Sequence, residues 1–283
     1  MKGKRKGLPL WADLIIWLIL SFFAFVISEE ATTALLPDTD RDTQLYFHTS
    51  TTLATLLLSL TVLVQHCLLD RQPWHSLGLG FNRAFIRYAP LSCAVPIAIL
   101  TLGFLICLLA GSTSISSVQW TGWEFGISIV FWIVAAFAEE ILLRGYFQSR
   151  LCRTRLHPWG AIVLSSILFA AMHLGNSHVA VIPMIHLFVS GILLGALYYY
   201  TGNLWLPTLL HSVWNWYQGS ILGFAVSGND LTPSIITQQA QAPDWLNGGA
   251  FGFEGSLLGL LIQIALTAWF IVYLSHHTKK ASL

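Results

Sequence analysis

Long apolar runs, rather than short alternating ones, organise this chain of 283 residues. A helix needs roughly 20 mostly apolar residues to cross the hydrocarbon core of a bilayer. A transmembrane β-barrel would instead show short segments of alternating polarity. Eight stretches have the length and character of spanning helices, at about 10–27, 50–69, 89–110, 124–147, 158–176, 179–200, 204–226 and 256–274. The pattern predicts an all-α polytopic membrane protein with about eight transmembrane helices in one domain, residues 1–283.

The composition supports this class and excludes others. Hydrophobic residues make up 55% of the chain and charged residues only 10%, whereas soluble domains carry about a quarter charged residues. The net charge is +1 and there is no basic patch with interleaved aromatic residues, so we expect no nucleic-acid partner. The lipid bilayer is the expected environment. The four cysteines form no CxxC pair, which disfavours a disulfide framework or a cysteine-based metal site.

The basic residues predict the orientation of the helices. Under the eight-span arrangement, twelve of the fourteen fall on one side. They are Lys2, Lys4, Arg5, Lys6, Arg71, Arg83, Arg87, Arg150, Arg153, Arg155, Lys279 and Lys280. The exceptions are Arg41 and Arg144. Because cytoplasmic loops carry the excess of lysine and arginine, both termini are expected in the cytoplasm. The expected location is the cell inner membrane, or an endomembrane if the source is eukaryotic.

Three ionisable residues interrupt the fourth apolar stretch. Glu139, Glu140 and Arg144 occur in "AEEILLR", and such groups are costly inside a membrane. Glu140 and Arg144 are four residues apart, so they share a helix face and can pair. Glu139 is turned by about 100° from Glu140 and has no such partner, as a general base requires. The alternative is that all three extend toward the cytoplasmic interface as a snorkelling cluster.

Further polar residues lie in the fifth and seventh stretches. Glu139 precedes Leu156, in the turn of the fourth and fifth helices, by seventeen residues, and His173 follows it by seventeen. In an antiparallel hairpin these two residues are level. His211 and Asn215 reach a similar depth if this hairpin protrudes into the cytoplasm by two or three helical turns. The predicted site therefore lies between helices 4, 5 and 7, in the cytoplasmic half. The plainer alternative is that each histidine only forms hydrogen bonds between helices.

These residue types suit the hydrolysis of a peptide bond. A carboxylate and an imidazole can hold a water and remove its proton, and a second imidazole and an amide can donate hydrogen bonds to the developing oxyanion. No serine or cysteine stands in a nucleophile motif, so an acyl-enzyme is not indicated. The same glutamate and histidine types could instead bind zinc. However, the HExxH pattern is absent, and an amide such as Asn215 is a poor zinc ligand.

Three motifs resemble one known family. "EEILLR" at 139–144, "FAAMH" at 169–173 and "HSVWN" at 211–215 match the EExxxR, FxxxH and HxxxN motifs of the CAAX protease and bacteriocin-processing family. The resemblance covers about residues 120–220, the expected catalytic core. It implies an eight-helix intramembrane protease that opens toward the cytoplasm. It also implies that Glu139 and His173 activate water while His211 and Asn215 form the oxyanion hole, with Glu140 and Arg144 in support.

The expected function is therefore an intramembrane endopeptidase of the glutamate type, acting near the cytoplasmic face on a protein or peptide that reaches it from the membrane. Family members have been described as zinc-dependent, but we expect no metal or cofactor, with zinc as the alternative. Eukaryotic relatives trim prenylated proteins, and bacterial relatives are linked to bacteriocin processing or self-immunity. The alternatives are a non-catalytic scaffold or immunity protein of the same fold and, less favoured, a transporter, which typically shows two related halves.

Overall fold

The computed structural model describes residues 10–40 and 43–278. It is 73% helical with one two-stranded sheet, which confirms an all-α polytopic membrane protein. Some of the basic residues used to predict the orientation lie outside the described residues. They are Lys2, Lys4, Arg5, Lys6, Arg41, Lys279 and Lys280. The described residues therefore test the arrangement of the helices relative to one another, but not the charge at either terminus.

Eight helices follow in the predicted order within the described ranges, and three of them continue into a wider π-helical turn. They are α1 (Leu10–Leu35), α2 (Gln44–Val64, continued by Gln65–Leu69), α3 (Arg83–Leu109), α4 (Glu124–Glu140, continued by Ile141–Gln148 and Ser149–Cys152), α5 (Pro158–Met172), α6 (Val181–Thr201), α7 (Trp205–Trp216, continued by Tyr217–Ile221) and α8 (Leu257–His277). A separate helical turn of four residues covers Asp244–Asn247.

Two of these helices are shorter than the sequence predicted. Among the described residues, six helices are long and apolar enough to cross a membrane, and α5 and α7 are not among them. The prediction of 158–176 was wrong at its end, because α5 ends at Met172 after 15 residues. Such a helix rises roughly 22 Å, less than the roughly 30 Å of the hydrocarbon core. Similarly, α7 with its π turn ends at Ile221 rather than at 226.

Contacts between the segments that connect the helices agree with the prediction that these segments alternate between the two sides of the membrane. The α3–α4 connection contains β1 (Thr113–Val118), and the long α7–α8 connection contains β2 (Ile236–Ala240), which pairs with it in antiparallel register. At the opposite end, the α2–α3 connection contacts the α6–α7 turn: the Leu204 N–H donates to the carbonyl of Gly78 at 2.9 Å. In both cases the eight-span arrangement places the two connections on the same side of the membrane.

Helices α4 and α6 pack closely through two glycines. Nη2 of Arg144 donates to the carbonyl of Gly191 at 3.3 Å, and Nε2 of Gln148 donates to the carbonyl of Gly195 at 2.8 Å. On the α5 side, a Cβ at Gly191 would lie 2.8 Å from Cα of Ser166. Small residues allow such close approach between membrane helices. These contacts hold the ionisable part of α4 in the centre of the protein.

Candidate active site

The two adjacent glutamates of α4 face different surroundings. Glu140 and Arg144 are both fully buried, and Nη1 of Arg144 lies 3.0 Å from Oε1 of Glu140. This is the i,i+4 pair that the sequence predicted. The guanidinium also lies over the ring of Phe169, 4.6 Å from its centroid. Because Arg144 is completely enclosed, it does not snorkel to the interface, and that alternative is wrong.

A third group joins the buried pair. Nδ1 of His211, on α7, lies 3.0 Å from the same Oε1 of Glu140. A carboxylate oxygen accepts hydrogen bonds from both partners. One oxygen of Glu140 therefore fixes Arg144 on its own helix and His211 on another. The sequence did not predict this contact, because the two residues are separated by 71 positions.

Glu139 faces a cavity of about 320 Å³ between α1, α2, α4 and the end of α5. Its Oε2 is shielded and has no hydrogen-bond partner among the described residues. His173 and Asn215 line the same cavity. Nδ1 of His173 lies 2.8 Å from the carbonyl of Phe169. A carbonyl can only accept, so this contact places the proton on Nδ1 and leaves Nε2 of the neutral ring as an acceptor.

A smaller adjoining cavity, of about 30 Å³, brings in the remaining predicted residue. It is lined by His211 together with His173 and Asn215, which it shares with the larger cavity. Polar cavities of this size can hold water. The structure thus gathers Glu139, His173, His211 and Asn215 around two adjoining cavities. The predicted position between α4, α5 and α7 was incomplete, because side chains of α1, α2 and the α7–α8 connection also line the larger cavity.

Residues 121–217 match the family described as type II CAAX prenyl endopeptidase Rce1-like. This match covers 97 of the 283 residues and supports the resemblance to the CAAX protease and bacteriocin-processing family. All six predicted site residues fall in the matched segment, and the match supports an intramembrane endopeptidase in general. No curated protein and no solved structure matches the chain.

Two residues at the cavities lie outside the segment matched to the CAAX protease family. Ser227 lines both cavities and Glu254 lines the smaller one. Burial raises the pKa of the Glu254 carboxyl, and a hydrogen bond from Ser227 opposes that shift. Sequence reasoning missed both residues. The available signal was the single acidic residue in "GGAFGFEGS", an otherwise uncharged stretch.

The arrangement does not fit the zinc site that has been ascribed to the CAAX protease family. Within residues 10–40 and 43–278, no group of three or more His, Cys, Asp or Glu side chains could hold a metal ion. Oε1 of Glu140 is already engaged by Arg144 and His211. Nδ1 of His173 is engaged by a backbone carbonyl. Zinc in proteins takes three or four such ligands around one point, so no step of the reaction is assigned to a metal here.

Proposed function

We propose that this protein is an intramembrane endopeptidase in which Glu139 and His173 activate a water that attacks the peptide bond. One observation carries the proposal: Glu139, whose Oε2 has no hydrogen-bond partner among the described residues, lines one cavity with His173, whose Nδ1 rather than Nε2 contacts a backbone carbonyl. A general base needs an available lone pair within hydrogen-bond reach of the proton that it removes. Oε2 of Glu140 also has no partner among the described residues. However, Arg144 and His211 share its Oε1, and Glu140 lines neither of the two cavities.

The proposed reaction proceeds by direct attack of water. Water binds between Glu139 and Nε2 of His173, and Glu139 accepts one of its protons as the oxygen attacks the carbonyl carbon. The resulting tetrahedral intermediate carries a negative oxygen. As the C–N bond breaks, Glu139 returns its proton to the leaving amine. No covalent acyl-enzyme is formed, which agrees with the lack of a serine or cysteine nucleophile motif.

His211 and Asn215 are assigned to the oxyanion. Glu140 accepts the hydrogen bond from Nδ1–H of His211, so Nε2 donates only when the ring carries both protons. In that form one N–H faces Glu140 and the other is available to the oxyanion. The amide of Asn215, which lines both cavities, supplies a second donor. Preorganised donors of this kind stabilise the charge that develops in the transition state.

Asn215→Ala tests the oxyanion assignment. Losing one preorganised donor costs about 10²–10³ in rate in hydrolases, and we expect a fall in kcat of that size with the fold retained. Thr208→Ala, on the same helix but in neither of the two cavities, is the control. Cleavage rates per folded protein measure the effect. Full activity of Asn215→Ala would remove this residue from the mechanism.

Metal removal tests whether the reaction depends on Glu139 without a metal ion. Because the described residues offer no three-ligand cluster, we expect incubation with a strong chelator to leave the cleavage rate unchanged. Metal analysis of the active preparation should give less than one tightly bound zinc per chain. Inactivation by chelator that zinc reverses would support the metalloprotease alternative instead.

The substrate is proposed to be a protein or peptide that reaches the cavity from the membrane, in CAAX-type or bacteriocin-type processing. Comparative proteomics of membranes carrying wild type or Glu139→Gln tests this directly. Peptide termini that occur only with wild type identify the substrate and its cleavage site. Identical sets of termini at equal protein levels would favour a non-catalytic scaffold or immunity protein.

Both termini are proposed to be cytoplasmic. The α7–α8 connection, residues 222–256, contains no lysine or arginine, so the positive-inside rule places it outside. With the native cysteines replaced, single cysteines at Asp38 and Ala240 should react with an impermeant thiol reagent from the outer side. A cysteine at His75 is the control and should react only from the cytoplasmic side. The reverse pattern would invert the proposed orientation.

A further inference from the structure

The α7–α8 connection contributes a buried carboxylate to the smaller cavity. Glu254, in the short 3₁₀ turn Phe253–Gly255, is only 5% exposed. It lines the cavity of about 30 Å³ together with His173, His211 and Asn215. Among the described residues it forms no ion pair. A buried charge without a counter-ion is costly unless hydrogen bonds satisfy it, so its bonding pattern indicates what it does.

Three neutral donors converge on this carboxylate. Oε1 of Glu254 accepts from Nε1–H of Trp214 at 3.1 Å. Oε2 accepts from the backbone N–H of Ser227 at 3.0 Å and from its hydroxyl at 2.8 Å. Ser227 has a φ of +49°, in the left-handed region that residues other than glycine rarely adopt. The two hydrogen bonds from Ser227 help to hold it in that conformation.

Each donor leads to a proposed catalytic residue. Trp214 directly precedes Asn215 on α7, so fixing its indole fixes the rotation of α7 at the oxyanion amide. The carbonyl of Ser227 accepts from Nδ2 of Asn176 at 2.9 Å, and the backbone N–H of Asn176 donates to the carbonyl of His173 at 3.1 Å. One carboxylate thus connects the two sides of the site, the end of α5 and the middle of α7.

We propose that Glu254 is a positioning residue that holds Asn215 and His173 at their working separation through Trp214 and Ser227. The inference rests on the proposed function and extends the site beyond the segment that matches the family, residues 121–217. Charge is needed because a carboxylate accepts from all three donors at once. A glutamine would turn its amide N–H groups toward one set of donors.

The test compares Glu254→Gln with Asp244→Asn, which changes an exposed carboxylate in the same connection. Misplacement by about 1 Å can cost about 100-fold in rate. We expect Glu254→Gln to lower kcat by about 10–100-fold with little change in KM, and Asp244→Asn to behave as wild type. The melting temperature of each variant, measured in detergent, gives the folded fraction. Wild-type kcat for Glu254→Gln, or a loss matching the unfolded fraction, overturns the proposal.

A double variant provides the readout that a purely structural role would not change. The indole N–H of Trp214 donates to Glu254 in the wild type. Glu254→Gln weakens the acceptor of this hydrogen bond, and Trp214→Phe removes its donor. If both residues act along one path, their effects on kcat are non-additive, and the double variant should be no slower than the slower single variant. If the losses in kcat of the two single variants multiply in the double variant, positioning through Trp214 is contradicted.

A separate measurement does not depend on activity. Met172, at the end of α5, and Asn215 line the same cavity, so cysteines placed there in a background without native cysteines should be joined by a short bifunctional thiol reagent. Glu254→Gln should lose most of this cross-linked product, and Asp244→Asn should keep it. If wild type shows no Glu139-dependent cleavage, the proposed function has failed, and the cross-link alone decides the role of Glu254. Equal cross-linking in both variants overturns that role.

Discussion

Glu139→Gln is expected to leave a folded protein with almost no peptidase activity. The change removes the base and keeps the shape of the side chain, and general acid–base groups contribute about 10²–10⁴ in rate. It breaks no hydrogen bond of Oε2, which has no partner among the described residues. We therefore expect a loss of kcat in that range with an unchanged melting temperature. Cleavage of the substrate identified by proteomics is the measurement.

The matched control for this prediction lies on the same helix. Glu124→Gln makes the identical chemical change in the first turn of α4, remote from both cavities, and should retain full activity. The decisive contrary result is an active Glu139→Gln beside a stable but inactive Glu140→Gln. That outcome would reverse the two roles and make Glu140 the base.

Glu140→Gln is expected to reduce both stability and activity. The change leaves Arg144 buried without its counter-charge, and breaking a buried ion pair costs about 3–5 kcal/mol. It also weakens the acceptor for Nδ1–H of His211, which lies 3.0 Å from Oε1 of Glu140. We expect a lower melting temperature and, per folded molecule, a slower reaction. Thermal unfolding in detergent and cleavage rates separate the two effects.

A second substitution distinguishes the structural part from the chemical part. Glu140→Gln combined with Arg144→Met removes both charges, and apolar replacement of a buried pair is often neutral or stabilising. Stability should recover in part. Activity should not, because His211 still lacks the carboxylate that accepts the hydrogen bond from its Nδ1–H. Recovery of full activity in the double variant would show that Glu140 acts only as the partner of Arg144.

Local spacing explains which parts of the site were predictable. The Glu140–Arg144 pair follows from helical geometry over four residues, because side chains at i and i+4 share a face. The contact of His211 with Glu140 joins residues 71 positions apart. Whether these two side chains meet depends on the rotation of α7 relative to α4. Sequence reasoning could bring the two to a similar depth but could not set that rotation.

Other features were hidden because hydropathy does not register them. The predicted span 158–176 included the polar residues His173 and Asn176, because a stretch long enough to cross the bilayer reaches over them, yet the helix stops at Met172. The role of Glu254 depends on the path of the α7–α8 connection, residues 222–256, most of which has neither helical nor strand periodicity to constrain the chain. Its cluster with Trp214 and Ser227 is visible only when that path is known.

The two hydrogen bonds from α4 to the glycine carbonyls of α6 also determine an axial register. Lipid tails are as apolar as the helix surfaces, so apolar packing alone discriminates weakly between docking positions. Slid by one turn, about 5.4 Å, Arg144 would meet Gly195, but Gln148 would meet Tyr199 and its bulky side chain. An unsatisfied buried amide costs about 1–3 kcal/mol. The pair of bonds therefore favours one depth for Glu139 in the bilayer, independently of any substrate.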